Sequence, residues 1–192
     1  MSSLDQRRDI RTVEVFADNL EDFTEREMLW GIALRYDFTE RGNPCSIEEC
    51  GVDNTGRLIE GRLPNYNVDK IFKFLDGKQV QIEIKTIGEY VKNFFTFKVH
   101  SLRNCFEKNA FLIVPRSNSY YVFSPSACKL LYENYPHKVW DNFWKGGLSV
   151  RIFSNEIENL IGNKIIKKRD WTNKAKSFIK HNYSELFREK RT

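Results

Sequence analysis

From residue 28 to residue 36 the apolar positions Met28, Leu29, Ile32, Ala33 and Tyr36 recur at intervals of three and four. That spacing lines one face of a helix, so the pattern predicts a helix from about Leu20 to Tyr36 with those five residues on the core. Thr24 and Glu27 have the spacing of a capping box, although either also fits inside the helix. Upstream, "TVEVF" reads as an arm or a short first strand. Residues 39–64 are rich in Gly, Asn and Pro and show little periodicity. They read as mostly loop, with a strand at "RLIEGRL".

Alternation then takes over in "NVDKIFKFLDGKQVQIEIKT", residues 67–86. Two strands flank an Asp-Gly turn, a strong hairpin signal. In the second strand Val80, Ile82 and Ile84 alternate with Gln81, Glu83 and Lys85, so the two sets occupy opposite faces. A loop of only Asp76-Gly77 would set Asp69 across from Ile84, on the wrong face. A three-residue loop, or one bulge, is expected to pair Phe72 with Ile82 and Phe74 with Val80. This gathers the large apolar groups on one side and sets Asp69 opposite Lys85, beside Glu83.

A second helix is predicted over Phe94 to Lys108, with Phe95, Val99, Leu102 and Phe106 along one face. "AFLIVPR" suits a buried central strand and "YYVFSP" its partner. Ser124 or Ser126 would cap a helix through "ACKLLYENY". "LSVRIFS" reads as a last strand, Ser154 as the cap of "NEIENLIG", and a basic helix at about 164–192 closes the chain. The strand-helix-strand crossover from the hairpin to "AFLIVPR" implies an α/β (α+β) fold with a mixed sheet and helices packed on it.

The 192 residues suit one domain, and 41% apolar with 30% charged residues is a globular composition. No apolar run reaches the roughly 18 residues needed to span a membrane. The N-terminus lacks an apolar signal core, so an intracellular protein is expected. Cys45, Cys50, Cys105 and Cys128 lack the close pairing of a zinc site. They are expected as reduced thiols, Cys105 and Cys128 inside helices as small hydrophobes, with a metal bound by all four left open. From Lys164 onward ten Lys or Arg stand against three Asp or Glu, so this part carries +7 and the rest −2. A basic tail on a near-neutral body is a footprint for a polyanion, or else a solvated helix face. Trp171, after "KKRD", would pack in the core or stack on a base. His100, His137 and His181 are scattered, without the spacing of a histidine-based nuclease or zinc hydrolase.

Two carboxylates brought close together repel unless a cation lies between them. Carboxylates with water are the ligands that Mg²⁺ prefers, and a bound cation acidifies its water and stabilises charge growing on a phosphate. Lys85, at the edge of such a cluster, would position or deprotonate the water or neutralise the transition state. The main-chain carbonyl of Ile84 would be a further ligand. These are the parts that phosphodiester hydrolysis needs. Alone, Glu-x-Lys on a strand is equally an amphipathic wet face with an ion pair. Asp53, Glu60 and Arg62 lie just upstream, with nothing specific to place them.

From about Thr24 to Ser124 these residues resemble the PD-(D/E)xK nuclease superfamily, the restriction-endonuclease-like fold. The second motif stands intact as Glu83-Ile84-Lys85. The first is relaxed, with Val68-Asp69 in place of Pro-Asp and Pro64 nearby. The resemblance implies an αβββαβ core, Mg²⁺ or Mn²⁺ as cofactor without a small-molecule one, and cleavage of nucleic acid. It also implies an acidic residue from the first helix near the metal, Glu25 or Glu27, and a polar residue from the helix after the motif, Lys98. Asp69, Glu83 and Lys85 are thus the expected catalytic residues, and Lys98, Lys167, Lys168 and Arg169 the expected nucleic-acid contacts. The expected protein is a single nuclease-like domain acting on DNA as a homodimer, in the manner of a type II restriction enzyme. A structure-specific nuclease such as a Holliday junction resolvase, or an inactive DNA-binding module of the same fold, are the alternatives.

Overall fold

The computed structural model describes residues 8–9, 13–49, 70–86, 93–139, 144–145 and 148–187. In chain order the first elements are β1 (Arg8–Asp9), α1 (Val13–Glu40), β2 (Cys45–Glu49), β3 (Lys70–Phe74), β4 (Gln79–Ile84), β5 (Phe94–Lys98) and α2 (Val99–Glu107). There follow β6 (Phe111–Pro115), β7 (Ser119–Phe123), α3 (Pro125–Asn134), β8 (Trp144–Lys145) and β9 (Ser149–Phe153). The last are α4 (Ser154–Gly162), β10 (Ile166–Asp170), α5 (Asn173–His181) and α6 (Tyr183–Leu186). A six-stranded mixed sheet in the order β10-β7-β6-β4-β3-β2 forms the centre. Among the described residues only β4 and β6 run parallel, joined by the crossover through β5 and α2 that the sequence implied. Two two-stranded ribbons, β1–β8 and β5–β9, complete the pairing.

Each face of the sheet carries its own hydrophobic layer. On one face, Trp30, Ala33 and Leu34 of α1 and Ala175 and Ile179 of α5 cover Phe72, Ile82, Ile84, Ile113 and Tyr120. On the other, α2, α3, α4 and the β5–β9 ribbon cover Leu112, Val114 and Phe123. Cys105 and Cys128 are fully buried in this second layer, as expected for small apolar side chains. Ser124 accepts a hydrogen bond from the Ala127 N–H at 3.2 Å, which identifies the cap of α3.

Several expectations are corrected. The strand expected at "TVEVF" is instead the start of α1, which runs without a break from Val13. β-branched residues disfavour a helix only weakly, and extending an existing helix adds a hydrogen bond per residue. Thr24 and Glu27 therefore lie inside α1 rather than at its start. Of the five residues expected on the core, Ala33 is buried and Leu29 and Tyr36 pack half-buried against it, but Met28 is exposed, and the fully buried stripe of α1 is Trp30, Ala33, Leu34 and Asp37. The polar Asp37 hid this stripe from an apolar pattern. The loop expected over 39–64 contains β2, an edge strand paired with β3 from Cys45–Phe74 to Glu49–Lys70. The strand expected at "RLIEGRL" lies outside the described residues.

The hairpin has the expected three-residue loop, Leu75 to Gly77, with Gly77 at φ +83°, where a Cβ would be strained. Lys78 N–H bonds the Asp76 carboxylate at 2.9 Å, and Phe74 N–H bonds the Lys78 carbonyl at 2.9 Å. This closure pairs Phe72 with Val80 and Lys70 with Ile82, two residues away from the expected register. A shift of two keeps every side chain on its expected face. It removes the basis for setting Asp69 across from Lys85.

The helix expected over Phe94 to Lys108 is a strand and then a helix. β5 alternates, with Phe95 and Phe97 buried, and its partner β9 comes from more than 50 residues later. A local pattern cannot show such a partner. The basic helix expected at about 164–192 is likewise broken into β10, α5 and α6. Ile166 to Asp170 pair with β7, and "KKRD" is sheet edge rather than helix. α4 begins at Ser154, with Phe153 in the cap position and its N–H bonded to Glu156 at 2.8 Å.

Candidate active site

Glu83 lies near the end of β4, between β3 and the parallel β6, level with Leu112. It projects to the face of Leu112 and Val114, away from Ile82 and Ile84, and is half-buried. The Lys85 N–H donates to the Ile113 carbonyl at 2.8 Å, which carries the β4–β6 pairing one residue beyond the strand. Alternation returns the half-buried Lys85 side chain to the side of Glu83. The Glu-x-Lys pair thus sits at the carboxyl end of an interior strand, beside the only parallel pairing among the described residues. Ligands in open sheets with parallel strands bind at such ends.

Asp69 lies outside the described residues, as do Cys50, Asp53, Glu60 and Arg62. Glu25 is exposed and Glu27 half-buried on α1, the helix that covers the Ile82 and Ile84 face rather than the face of Glu83. Lys98 ends β5 and occupies the cap position of α2, half-buried and level with Ser149. Among the described residues, no group of three or more His, Cys, Asp or Glu side chains could hold a metal ion. Glu83 is one hard oxygen donor, and a hard divalent cation is held by several. The described residues therefore fit such a cation only in part.

Lys167, Lys168 and Arg169 are all exposed on β10, an edge of the sheet. They do not form one stripe. Lys168 stands opposite Tyr121, its amine 5.6 Å from the ring centre, on the Glu83 face. Lys167 and Arg169 stand opposite Val122 and Tyr120 and point to the other face. Two strands, β7 and β6, separate β10 from β4. At about 4.8 Å per strand, Lys168 is on the order of 14 Å from the line of Glu83. Charged residues on an edge strand also prevent unwanted pairing with other chains.

The sequence reading missed a polar centre on the opposite face. Asp37 is fully buried in α1. Its carboxylate accepts hydrogen bonds from Arg41 Nε at 2.7 Å, Tyr120 Oη at 2.8 Å and the Thr172 N–H at 2.8 Å. Arg41 also donates to the Asp170 carbonyl at 2.6 Å. Burial raises the pKa of the Asp37 carboxyl, but the bonds from Arg41, Thr172 and Tyr120 outweigh it and hold the group below its ordinary range. Burial first, and then the charge of Asp37, push the Tyr120 hydroxyl up to about 12. Trp171 is buried beside this centre, its ring stacked on Trp30 at 5.9 Å and its N–H bonded to the Arg116 carbonyl at 2.7 Å. Of the two roles open to Trp171, the structure selects core packing. The centre ties α1 to the segment after β10, away from Glu83, so its role is structural. A signal for it existed: Asp37 falls on the Trp30, Ala33, Leu34 stripe.

The chain matches no known protein-family model and no curated protein.

Proposed function

We propose that this protein is a divalent-metal-dependent endonuclease that hydrolyses DNA phosphodiester bonds. The observation that carries this reading is the Glu83-Ile84-Lys85 tripeptide at the end of β4, with both charged side chains on one half-buried face. The succession α1, β2, β3, β4, α2, β6 supports it as well. It has the αβββαβ order of the restriction-endonuclease-like fold, with β5 inserted before α2. Asp69 directly precedes Lys70, which pairs with Ile82. A strand continued by one residue in this register would bring Asp69 level with Glu83.

In this reading Asp69 and Glu83 would hold Mg²⁺ or Mn²⁺, with the Ile84 carbonyl as a further oxygen donor, whereas Glu25 and Glu27 lie on the helix that covers the other face. The bound cation supplies charge stabilisation at the phosphate and an acidified water. Lys85, on the same face as Glu83, would orient a water at the phosphate and exchange a proton with it. Double-strand cleavage would use two copies of the chain, one site per strand.

Metal binding is testable without cleavage. In calorimetric titrations with Mn²⁺, the wild type is expected to show a binding isotherm that Asp69→Asn and Glu83→Gln weaken more than about tenfold. Tenfold is the lower bound for residues that merely orient a metal ligand. Equal affinity in all three proteins would remove both carboxylates from the site.

The β10 cations make a separate expectation. Taking one cation away from a phosphate flattens the plot of log affinity against log salt by about 0.9 for duplex DNA. Because Lys168 and its two neighbours face opposite ways, changing Lys167, Lys168 and Arg169 together to Gln should lower the slope by roughly one to two units rather than three. Anisotropy titrations in Ca²⁺ would measure it. An unchanged slope would leave these residues the role of edge protection alone.

A further inference from the structure

Among the described residues, the outward face of the β5–β9 ribbon lies outside both hydrophobic layers. Its inward side chains, Phe95, Phe97, Val150 and Ile152, are buried against Leu112 and Val114. Directly opposed residues in an antiparallel pair share a face. The outward set is therefore Phe94 with Phe153, Thr96 with Arg151, and Lys98 with Ser149, of which Ser149 is buried beside Lys138. The Arg151 guanidinium lies 4.1 Å from the centre of the Phe94 ring and donates to Thr96 Oγ1 at 3.3 Å. Phe94 meets Phe153 edge to face at 6.4 Å. Phe153 keeps 47% of its surface exposed, although its backbone is fixed by the bond from its N–H to Glu156. Neither strand contains an acidic residue.

We propose that this ribbon is a stacking platform for unpaired nucleotides, with a base on Phe153 and phosphates at Arg151 and Lys98. A fixed, half-exposed phenyl ring beside cations fits a ligand that carries both a π face and a negative charge. Nucleotides join the two in one repeating unit, and base–aromatic stacking with Arg support is how single strands are held without sequence preference. The location agrees. The ribbon covers the sheet face that carries Glu83, and Lys98 leads directly into α2, the crossover between β4 and β6. The choice of nucleic acid as ligand rests on the nuclease reading, whereas the platform geometry does not.

The test is fluorescence anisotropy in Ca²⁺ with a labelled thymidine oligonucleotide of about 20 nucleotides, longer than the ~4–16 that one binding fold covers, and with a duplex of equal length. Phe153→Ala is expected to weaken single-strand binding roughly 5- to 150-fold, the equivalent of about 1–3 kcal/mol per stacked base. Phe153→Tyr should restore it, and duplex affinity should change much less. Arg151→Gln should flatten the single-strand salt slope by about 0.7. If Phe153→Ala unfolds, Phe153→Leu keeps the apolar bulk without the ring and is expected to show the same weakening. Unchanged single-strand affinity in the folded variant, or equal weakening on both oligonucleotides, would overturn the platform and leave the nuclease reading standing. A wild type that binds neither oligonucleotide would overturn the nucleic-acid reading itself.

Discussion

Replacing Lys85 by Ala is expected to slow cleavage of supercoiled plasmid roughly 100- to 10,000-fold, the range carried by one positioned proton-transfer group. The fold should not change. The Lys85 backbone N–H holds the β4–β6 pairing through the Ile113 carbonyl, and Ala keeps that N–H. DNA affinity should change little, because Lys85 is one of 31 Lys and Arg and one phosphate contact is a small part of a polyelectrolyte interaction. Nicking assays in Mg²⁺ and anisotropy in Ca²⁺ separate the two effects. Wild-type cutting by Lys85→Ala would end the role of a catalytic lysine. Unchanged turnover with weakened affinity would make Lys85 a phosphate contact instead.

Asp37→Ala should be the most destabilising substitution at a polar residue in the first helix. It deprives the Thr172 N–H and the Tyr120 hydroxyl of their shared acceptor and leaves Arg41 without its carboxylate. Removing one partner of a buried charged network costs about 3–5 kcal/mol. The Arg41 side chain is 37% exposed, so solvent screens part of the effect and the low end applies. For a chain of this length, about 3 kcal/mol lowers the melting temperature by roughly 6–12 °C. The folded Asp37 carboxyl has a lowered pKa. Its contribution is therefore fully present above the ordinary carboxylate value near 4 and is lost as pH falls through the folded value. The gap in melting temperature between wild type and Asp37→Ala should be constant from pH 7 to pH 5 and shrink at about pH 3. A gap of equal size at pH 7 and pH 3 would mean that the carboxylate charge plays no part.

The strands of the main sheet were legible where burial imposed a period. Ile82 and Ile84 alternate with Glu83 and Lys85, and the continuous run at β6 marks a strand covered on both faces. The β4–β6 crossover followed from their order. What failed was whatever depends on a distant partner. Phe94 to Lys98 hold as a strand because β9 lies beside them, and Ile166 to Asp170 because β7 does. Alone, either segment fits a helix. The register slipped by two because loop length was matched to the wrong closing pair, and parity protected the faces. Asp37 was missed because a buried carboxylate looks like a solvent-facing one until its donors arrive from residues 120 and 172. In the candidate site, Glu83 and Lys85 were legible from alternation, whereas the spread of the β10 cations over two faces required knowing that they lie on a strand.

The union of α1 with α5 bears on how the protein is made. Trp30, Ala33 and Leu34 are synthesised before Trp171, Ala175 and Ile179, which share their layer and come more than 130 residues later. The hydrogen bond from Thr172 to Asp37 spans 135 residues. At about 5–20 residues per second, translation leaves the apolar stripe of α1 without these partners for on the order of 7–27 s. During that interval the stripe is a surface for chaperones or for other nascent chains. A ribosome stalled before residue 171 would hold a sheet with one of its two layers incomplete.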